Sequence, residues 1–418
     1  MVVLRRLRDA GYTAYLAGGC VRDLLLGHEP KDFDVATDAP PARVRELFSN
    51  TQAVGAAFGV ILVRLGGSQI EVATFRADGT YDDGRHPSQV RFTTAEEDAR
   101  RRDFTINGLF LDPLTDQVID YVGGQQDLAS KAVRAIGQPS ARFEEDSLRL
   151  LRAVRFSARF GFAIEPVTAA AIVAHAPELK RISPERIAEE LRMMLMPATR
   201  AVAWGMLWEL QLIPVLFRFL KFPRRSEPLP GPMLFERIAP GESVPIGLAL
   251  AAAVLCYRAR MQDGLSDLRL ILSRTEISAG VQAMRQALKI SNEESEQLRG
   301  TLAGIDPLLR DAPPGVATLK RFLAEPTAPL SRQLLDGLAG IGVQVPRIEM
   351  LREKLAAIEK TDYAPLPFVD GDLLVARGLH PGPKFKKILD AVYDAQLEGR
   401  LRDGDEAIAM ALRIAGES

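Results

Sequence analysis

Four short runs in the first third of the chain are rich in β-branched and aromatic residues and are separated by glycine or aspartate turns. They are YTAYLAG (12–18), DFDVAT (32–37), GVILVRL (59–65) and QIEVATF (69–75). Runs of this length and composition between turn residues predict β-strands. PPARVRELF (40–48) and EEDARRRDFTINGLF (96–110) predict helices between them, so residues 1–137 read as an α/β unit. From about Ser140 the strand signals stop. FEEDSLRLLRAVRFSARFGF (143–162) and ERIAEELRMMLM (185–196) have apolar residues at helical spacing, the second opened by Ser183 as N-cap and Pro184 in the first turn. Ser291 and Glu294 stand at capping-box spacing at the start of a further helix. KFPRRSEPLPGP (221–232) and DAPPG (311–315) break the pattern and read as loops. No period recurs, which argues against a solenoid. The fold expected is an α/β head followed by a long all-helical part.

A length of 418 residues is enough for two to four domains, and a hydrophobic content of 47% supports buried cores. The formal net charge is −1, so nucleic-acid binding would have to come from a local basic surface. Cys20 and Cys256 are too far apart in sequence to suggest a disulfide framework or a zinc site. The longest apolar run, 244–257, is too short to span a bilayer. The N-terminus lacks the plan of a signal peptide. A reducing cytoplasm is the compartment expected.

On a strand, residues i and i+2 point to the same face. Asp32 and Asp34 are therefore expected to project together, with Phe33 turned into the core. Two adjacent carboxylates repel unless a cation lies between them, and hard oxygen ligands suit Mg²⁺ held jointly with phosphate oxygens. Two such ions ~4 Å apart activate an attacking hydroxyl and stabilise a leaving phosphate. A solvated strand end would carry the same pair, and only the flanks favour the metal. Gly18-Gly19 lets backbone amides approach a ligand, and the helix that follows offers its N-terminus to an anion. Arg22 in its first turn has the planar fork that phosphate accepts. Glu71 is either a third carboxylate from a neighbouring strand or a salt-bridge partner within the sheet.

The run Arg100-Arg101-Arg102 is by itself an ordinary solvated face; beside the glycine pair, Arg102 becomes a second phosphate or ribose contact. Asp103 and Asn107, one helical turn apart, share a face and hold local geometry. Asp146 and Arg149 are spaced i, i+3 on the expected 143–162 helix and either pair with each other or read a base. A carboxylate accepts from an exocyclic amine and a guanidinium donates to a ring nitrogen, which admits cytosine and adenine and rejects guanine and uracil.

These stretches, LAGGCVRDLLLG…DFDVAT, RRRDFTINGLFLD and EEDSLRLLRAVRF, resemble in order and spacing the motifs of class II tRNA nucleotidyltransferases and bacterial poly(A) polymerases, within the polymerase-β-like superfamily. The resemblance implies a catalytic head (1–137), a neck (138–200), a body (201–290) and a tail (291–418). It implies two Mg²⁺ at Asp32 and Asp34, and a base-reading role for Glu145, Asp146 and Arg149. It also implies nucleotide contacts from Arg152 and Arg155. CTP and ATP are the expected substrates and tRNA the expected partner, with neither DNA nor a membrane. DYVGGQQDL (120–128) resembles the segment joining head to neck and is expected to be flexible. The tail stretch GLHPGPKFKKIL places Lys384, Lys386 and Lys387 after a helix start that suits RNA phosphate, although a plain solvated helix has the same pattern.

The expected activity is template-independent addition of C, C and A to a tRNA 3′ end, with release of pyrophosphate. An enzyme adding only A and a poly(A) polymerase remain as alternatives, with a small-molecule nucleotidyltransferase or a non-catalytic RNA-binding protein further off. Ala56 and Ala57 stand where the poly(A) polymerases carry paired basic residues, and the loop within 75–92 keeps full length. By the resemblance, the alanines argue against a poly(A) polymerase and the loop against an enzyme adding only C, while an A-adding enzyme keeps that loop too.

Overall fold

The computed structural model describes the chain apart from residues 56–57, 80–89, 221–230, 260–272, 311, 380–382 and 417–418. The chain divides into two compact units, Met1–Met194 with Val202–Arg218 and Leu195–Ala201 with Phe219–Ser418.

The first unit is built on strands β1 (Ala14–Ala17), β2 (Asp34–Thr37), β3 (Thr51–Gly55), β4 (Val60–Leu65) and β5 (Ser68–Thr74). A separate ribbon, β6 (Arg76–Asp78) with β7 (Val90–Phe92), precedes β8 (Leu109–Asp112) and β9 (Gln117–Asp120). The sheet order is β3-β4-β5-β2-β1-β8-β9. Only the β2–β5 pair is parallel, in a register that sets Asp34 opposite Glu71. Val35, Ile61, Val63 and Val72 are buried, as alternation in half-buried strands requires. Phe75 and Phe110 meet edge to face at 5.8 Å between ring centroids, in a cluster with Ala17, Ala36 and Ala99.

Four expectations change here. Phe33 is not in the core: it is 42% exposed, because β2 begins only at Asp34 and the aspartate pair straddles the strand's entrance. EEDARRRDFTINGLF is not one helix. It is a helix over Ala95–Arg100 capped by Thr94, then a 3₁₀ turn over Thr105–Asn107, then β8. The break lies at Phe104, whose extended backbone donates its N–H to the Asp103 carboxylate at 2.8 Å. Likewise 143–162 is two helices, Pro139–Glu145 and Leu148–Phe160. Asp146 between them is extended (φ −147°, ψ 101°), and its carboxylate takes the N–H of Leu148 at 3.0 Å. Strand structure also recurs after Ser140, where Ala163–Ile164 pairs in parallel with Ala132–Val133.

The 120–128 segment is held, not loose. Asp120 accepts from the backbone N–H groups of Val122, Gly123, Gly124 and Gln125. Burial pushes its carboxyl up, but these donors outweigh it and hold it below the usual carboxylate range. A side chain at Gly124 would collide with the carbonyl of Thr105, so the segment packs flush on the 3₁₀ turn.

The second unit is helical throughout its described residues. Ser291 and Glu294 make the reciprocal cap expected of them, at 3.1 and 2.7 Å, on the helix Asn292–Leu309. Gly304 of that helix lies so close to Ser331 that a Cβ would meet its Oγ at 2.5 Å. Val369, Leu374, Ile388, Val392, Ala407 and Ile408 form the buried core near the C-terminus. Among the described residues no helix is long and apolar enough to cross a membrane.

Candidate nucleotide site

Gly18 ends β1 at φ +72° and starts the helix Gly19–Leu25. The positive φ favours glycine, and a Cβ there would meet Arg102 Nη1 at 2.7 Å and push that guanidinium aside. Arg22 on that helix is only 4% exposed. Its Nε and Nη2 donate to Asp23 Oδ1 at 2.8 and 2.6 Å, and its Nη1 donates to Asn107 Oδ1 at 2.5 Å. Three of its five N–H groups are thus committed, which leaves two for a ligand. Arg102 lies against the same turn. It donates to Asp98 at 2.9 Å and to the carbonyl of Asn107 at 3.4 Å, with its guanidinium over the Phe110 ring. Asp98 also holds Arg101, so one buried carboxylate fixes two of the three consecutive arginines.

Asp34 is half-buried, Asp32 and Glu71 are exposed, and the β2–β5 register brings Asp34 and Glu71 side by side. Among the described residues none of the three carboxylates forms an ion pair or a side-chain hydrogen bond. Burial, the Glu71 charge and the Asp32 charge push the Asp34 carboxyl up to about 6, against an opposing pull from Arg102.

At the other side, Asp103 is buried and fully used. Its Oδ1 accepts from Asn107 Nδ2 at 3.0 Å and its Oδ2 from Arg152 at 2.7–2.8 Å. Burial pushes its carboxyl up, but Arg152 and Asn107 outweigh that and hold it down at about 2. Asp103 and Asn107 meet as expected, though through a 3₁₀ turn and not along a helix face. Asp146 and Arg149 do not pair with each other through their side chains. Asp146 Oδ2 accepts from Arg186 at 2.8 Å. Arg149 Nη1 donates to Glu145 at 2.7 Å and to the carbonyl of Arg142 at 3.0 Å, and its Nη2 to the carbonyl of Arg101 at 3.4 Å. Its Nε–H and one Nη2–H stay free among the described residues. Arg155 pairs with buried Glu190 at 2.6 Å, and the guanidinia of Arg22, Arg152 and Arg155 all lie over the Phe156 ring.

Residues 14–134 match the poly A polymerase head domain, and residues 161–222 match the probable RNA and SrmB-binding site of polymerase A. A CCA-adding enzyme of Geobacillus thermodenitrificans is 33% identical over 414 residues, covering 97% of this chain and 94% of the relative. The chain belongs to the CCA-adding enzyme and poly(A) polymerase family. Poly(A) polymerase I of Salmonella typhi is 46% identical over 226 residues, 51% of this chain and 49% of the relative. The crystal structure of the Bacillus stearothermophilus CCA-adding enzyme in complex with CTP superposes with a TM-score of 0.68 at 28% identity, covering 100% of this chain and 96% of that one.

Membership makes this chain a nucleotidyltransferase, and the family generally depends on a metal. Among the described residues no three His, Cys, Asp or Glu side chains close on a metal by themselves. The Asp32, Asp34 and Glu71 carboxylates, with Asp34 raised by burial and by its two negative neighbours, nevertheless suit a hard cation that takes its remaining oxygens from phosphate and water. Family motifs did not point to Asp23, Asp98, Arg186 or Glu190. Each is a buried or half-buried partner of an arginine or aspartate that they did point to. Their signal was a charged residue on the inward face of a helix. Lys386 and Lys387 are exposed on the helix Pro383–Leu397, while the side chain of Lys384 lies outside the described residues. Ala56, Ala57 and most of the 75–92 loop also lie outside them.

Proposed function

We propose that the chain adds C, C and A in turn to the 3′ end of tRNA, using CTP and ATP and releasing pyrophosphate. The observation that carries this reading is the likeness to CCA-adding enzymes along 97% of the chain, body and tail included. In each step the tRNA 3′-hydroxyl oxygen attacks the α-phosphorus of the nucleotide. The bond from that phosphorus to the bridging oxygen breaks, pyrophosphate leaves with the electron pair, and the hydroxyl proton passes to solvent water. Asp32 and Asp34, with Glu71 beside them, are the residues that would hold two Mg²⁺ ions. Bound there, such ions would supply the positive charge that stabilises attack and departure. Gly18 and Gly19 bring backbone amides to the phosphates, and Arg22 and Arg102 supply charge with the N–H groups they have left. Asp146 accepts from the exocyclic amine of C or A, and the free N–H groups of Arg149 donate to the ring nitrogen. Arg152 and Arg155 line the nucleotide, and Asp103 and Asn107 hold the turn that joins the phosphate and base ends. The helical body and tail, with Lys384, Lys386 and Lys387, take the RNA. The cytoplasm, where tRNA is matured, is the compartment that suits this activity.

The 46% identity to poly(A) polymerase I supports a second reading, although it spans only half of each chain. The deciding assay uses tRNA ending at the discriminator base, with Mg²⁺ and either CTP, ATP or both. Growth by two residues with CTP and three with both supports CCA addition. Extension only of tRNA already ending in CC makes the chain an A-adding enzyme, and a long adenylate tail makes it a poly(A) polymerase.

A further inference from the structure

The Asp146 carboxylate lies in the extended break between two helices, where no helical backbone fixes its direction. Its two oxygens are nevertheless both engaged, Oδ1 by the Leu148 N–H at 3.0 Å and Oδ2 by Arg186 Nη2 at 2.8 Å. The Leu148 bond is local and leaves the carboxylate plane free to turn about it. The Arg186 bond comes from 40 residues away, in the first turn of the helix Pro184–Leu195. With both oxygens anchored, the plane is set, and so is the direction of the lone pairs left over. Arg186 is half-buried, as is Asp146 (side chains 19% and 16% exposed), so water competes little for this pair.

We propose that Arg186 is a positioning residue for nucleotide selection, aiming Asp146 so that only a base presenting an amine finds an acceptor. This rests on the reading of Asp146 as the base-amine acceptor. It adds that the acceptor's direction is set by a residue that does not itself touch the nucleotide. Without Arg186 the carboxylate turns, and a base offering a carbonyl is rejected less firmly. The next anchor along, Ser147, cannot substitute, since its hydroxyl donates to the carbonyl of Phe143 at 3.1 Å.

The test uses the full-length protein with tRNA lacking its 3′ CCA, Mg²⁺ and each of CTP, ATP, GTP and UTP in single turnovers. Arg186→Gln should lower the preference for CTP over UTP by about tenfold, the scale of one hydrogen bond to a charged group. The loss should fall mainly on the CTP concentration that half-saturates the single-turnover rate, with the limiting rate itself nearly kept. Arg186→Lys, which keeps charge and one donor, should restore part of it. The thermal unfolding midpoint of each variant shows whether the fold has changed. Asp146→Asn is run beside them. If Asp146→Asn leaves the four-nucleotide ratio unchanged, the base-reading role of Asp146 fails, and this inference with it. If Asp146→Asn relaxes the ratio while Arg186→Gln does not, the role of Asp146 stands and that of Arg186 is overturned. A uniform fall in rate with all four nucleotides, not rescued by lysine, makes Arg186 structural only and also overturns the proposal.

Discussion

Asp34 and Asp103 are aspartates of the same α/β unit, both withdrawn from solvent, and their chemistry runs in opposite directions. Asp34 faces Glu71 and Asp32, forms no ion pair among the described residues, and is pushed up to about 6 by burial and by those negative neighbours. Asp103 is more deeply buried, yet Arg152 and Asn107 hold it down at about 2. Burial disfavours both charges, so the difference comes from the sign of what lies opposite. One end of the candidate site is thus a negative cluster with no ion-pair partner among the described residues. Asp103 at the other end is an acceptor whose charge Arg152 already meets. A site that must accept a charged ligand leaves its own charge uncompensated, and the scaffold beside it does not.

The comparison is broken most forcibly at Asp34. Asp34→Ala should cut nucleotide transfer on the order of a thousandfold or more while tRNA binding, measured by filter retention, stays nearly unchanged. Transfer at the wild-type rate in magnesium buffer would remove Asp34 from the metal site. Asp103→Ala should act instead on the fold. Removing one member of a buried ion pair costs about 3 kcal/mol, and denaturant unfolding of the N-terminal unit would report it. Because Asp103 is held below its ordinary value of 3.8, its contribution is complete above about pH 4 and drains away as pH falls through about 2. The deficit of the variant should therefore shrink in acid.

The smallest effect concerns Asp34 and pH. Its folded value lies above its ordinary 3.8, so its protonated form stabilises the metal-free protein below that value, and the gain is lost as pH rises through about 6. Asp34→Asn should therefore melt a few degrees higher than the metal-free parent above about pH 6 and level with it below about pH 4. Added Mg²⁺ should raise the melting temperature of the parent more at the higher pH than at the lower. Equal shifts at both would show that the Asp34 charge is not what the ion meets.

Much of this was legible in advance. Strand patterns found β1, β2, β4 and β5, and an i, i+2 aspartate pair beside Gly-Gly and an arginine marked the carboxylate end. Periodicity could not find the breaks at Phe104 and Asp146. A short polar side chain there takes a backbone N–H two residues or fewer away, and such local bonds leave no periodic signature. Phe33 was misplaced for a related reason: alternation says which residues share a face, but not where the strand begins.

Local sequence determined the elements, because strand composition, capping residues and glycines at forced backbone angles act within a few residues. It also determined which charged groups are candidates for chemistry. Only the tertiary structure decided which of those charges stay free. The parallel register of β2 and β5 puts Glu71 beside Asp34, where its charge adds to burial in raising the carboxyl, while Arg152, 49 residues from Asp103, folds back to pair with it. Arg186 does the same for Asp146 across 40 residues. Pairing of charges depends on distance in space, and a one-dimensional pattern carries no measure of that.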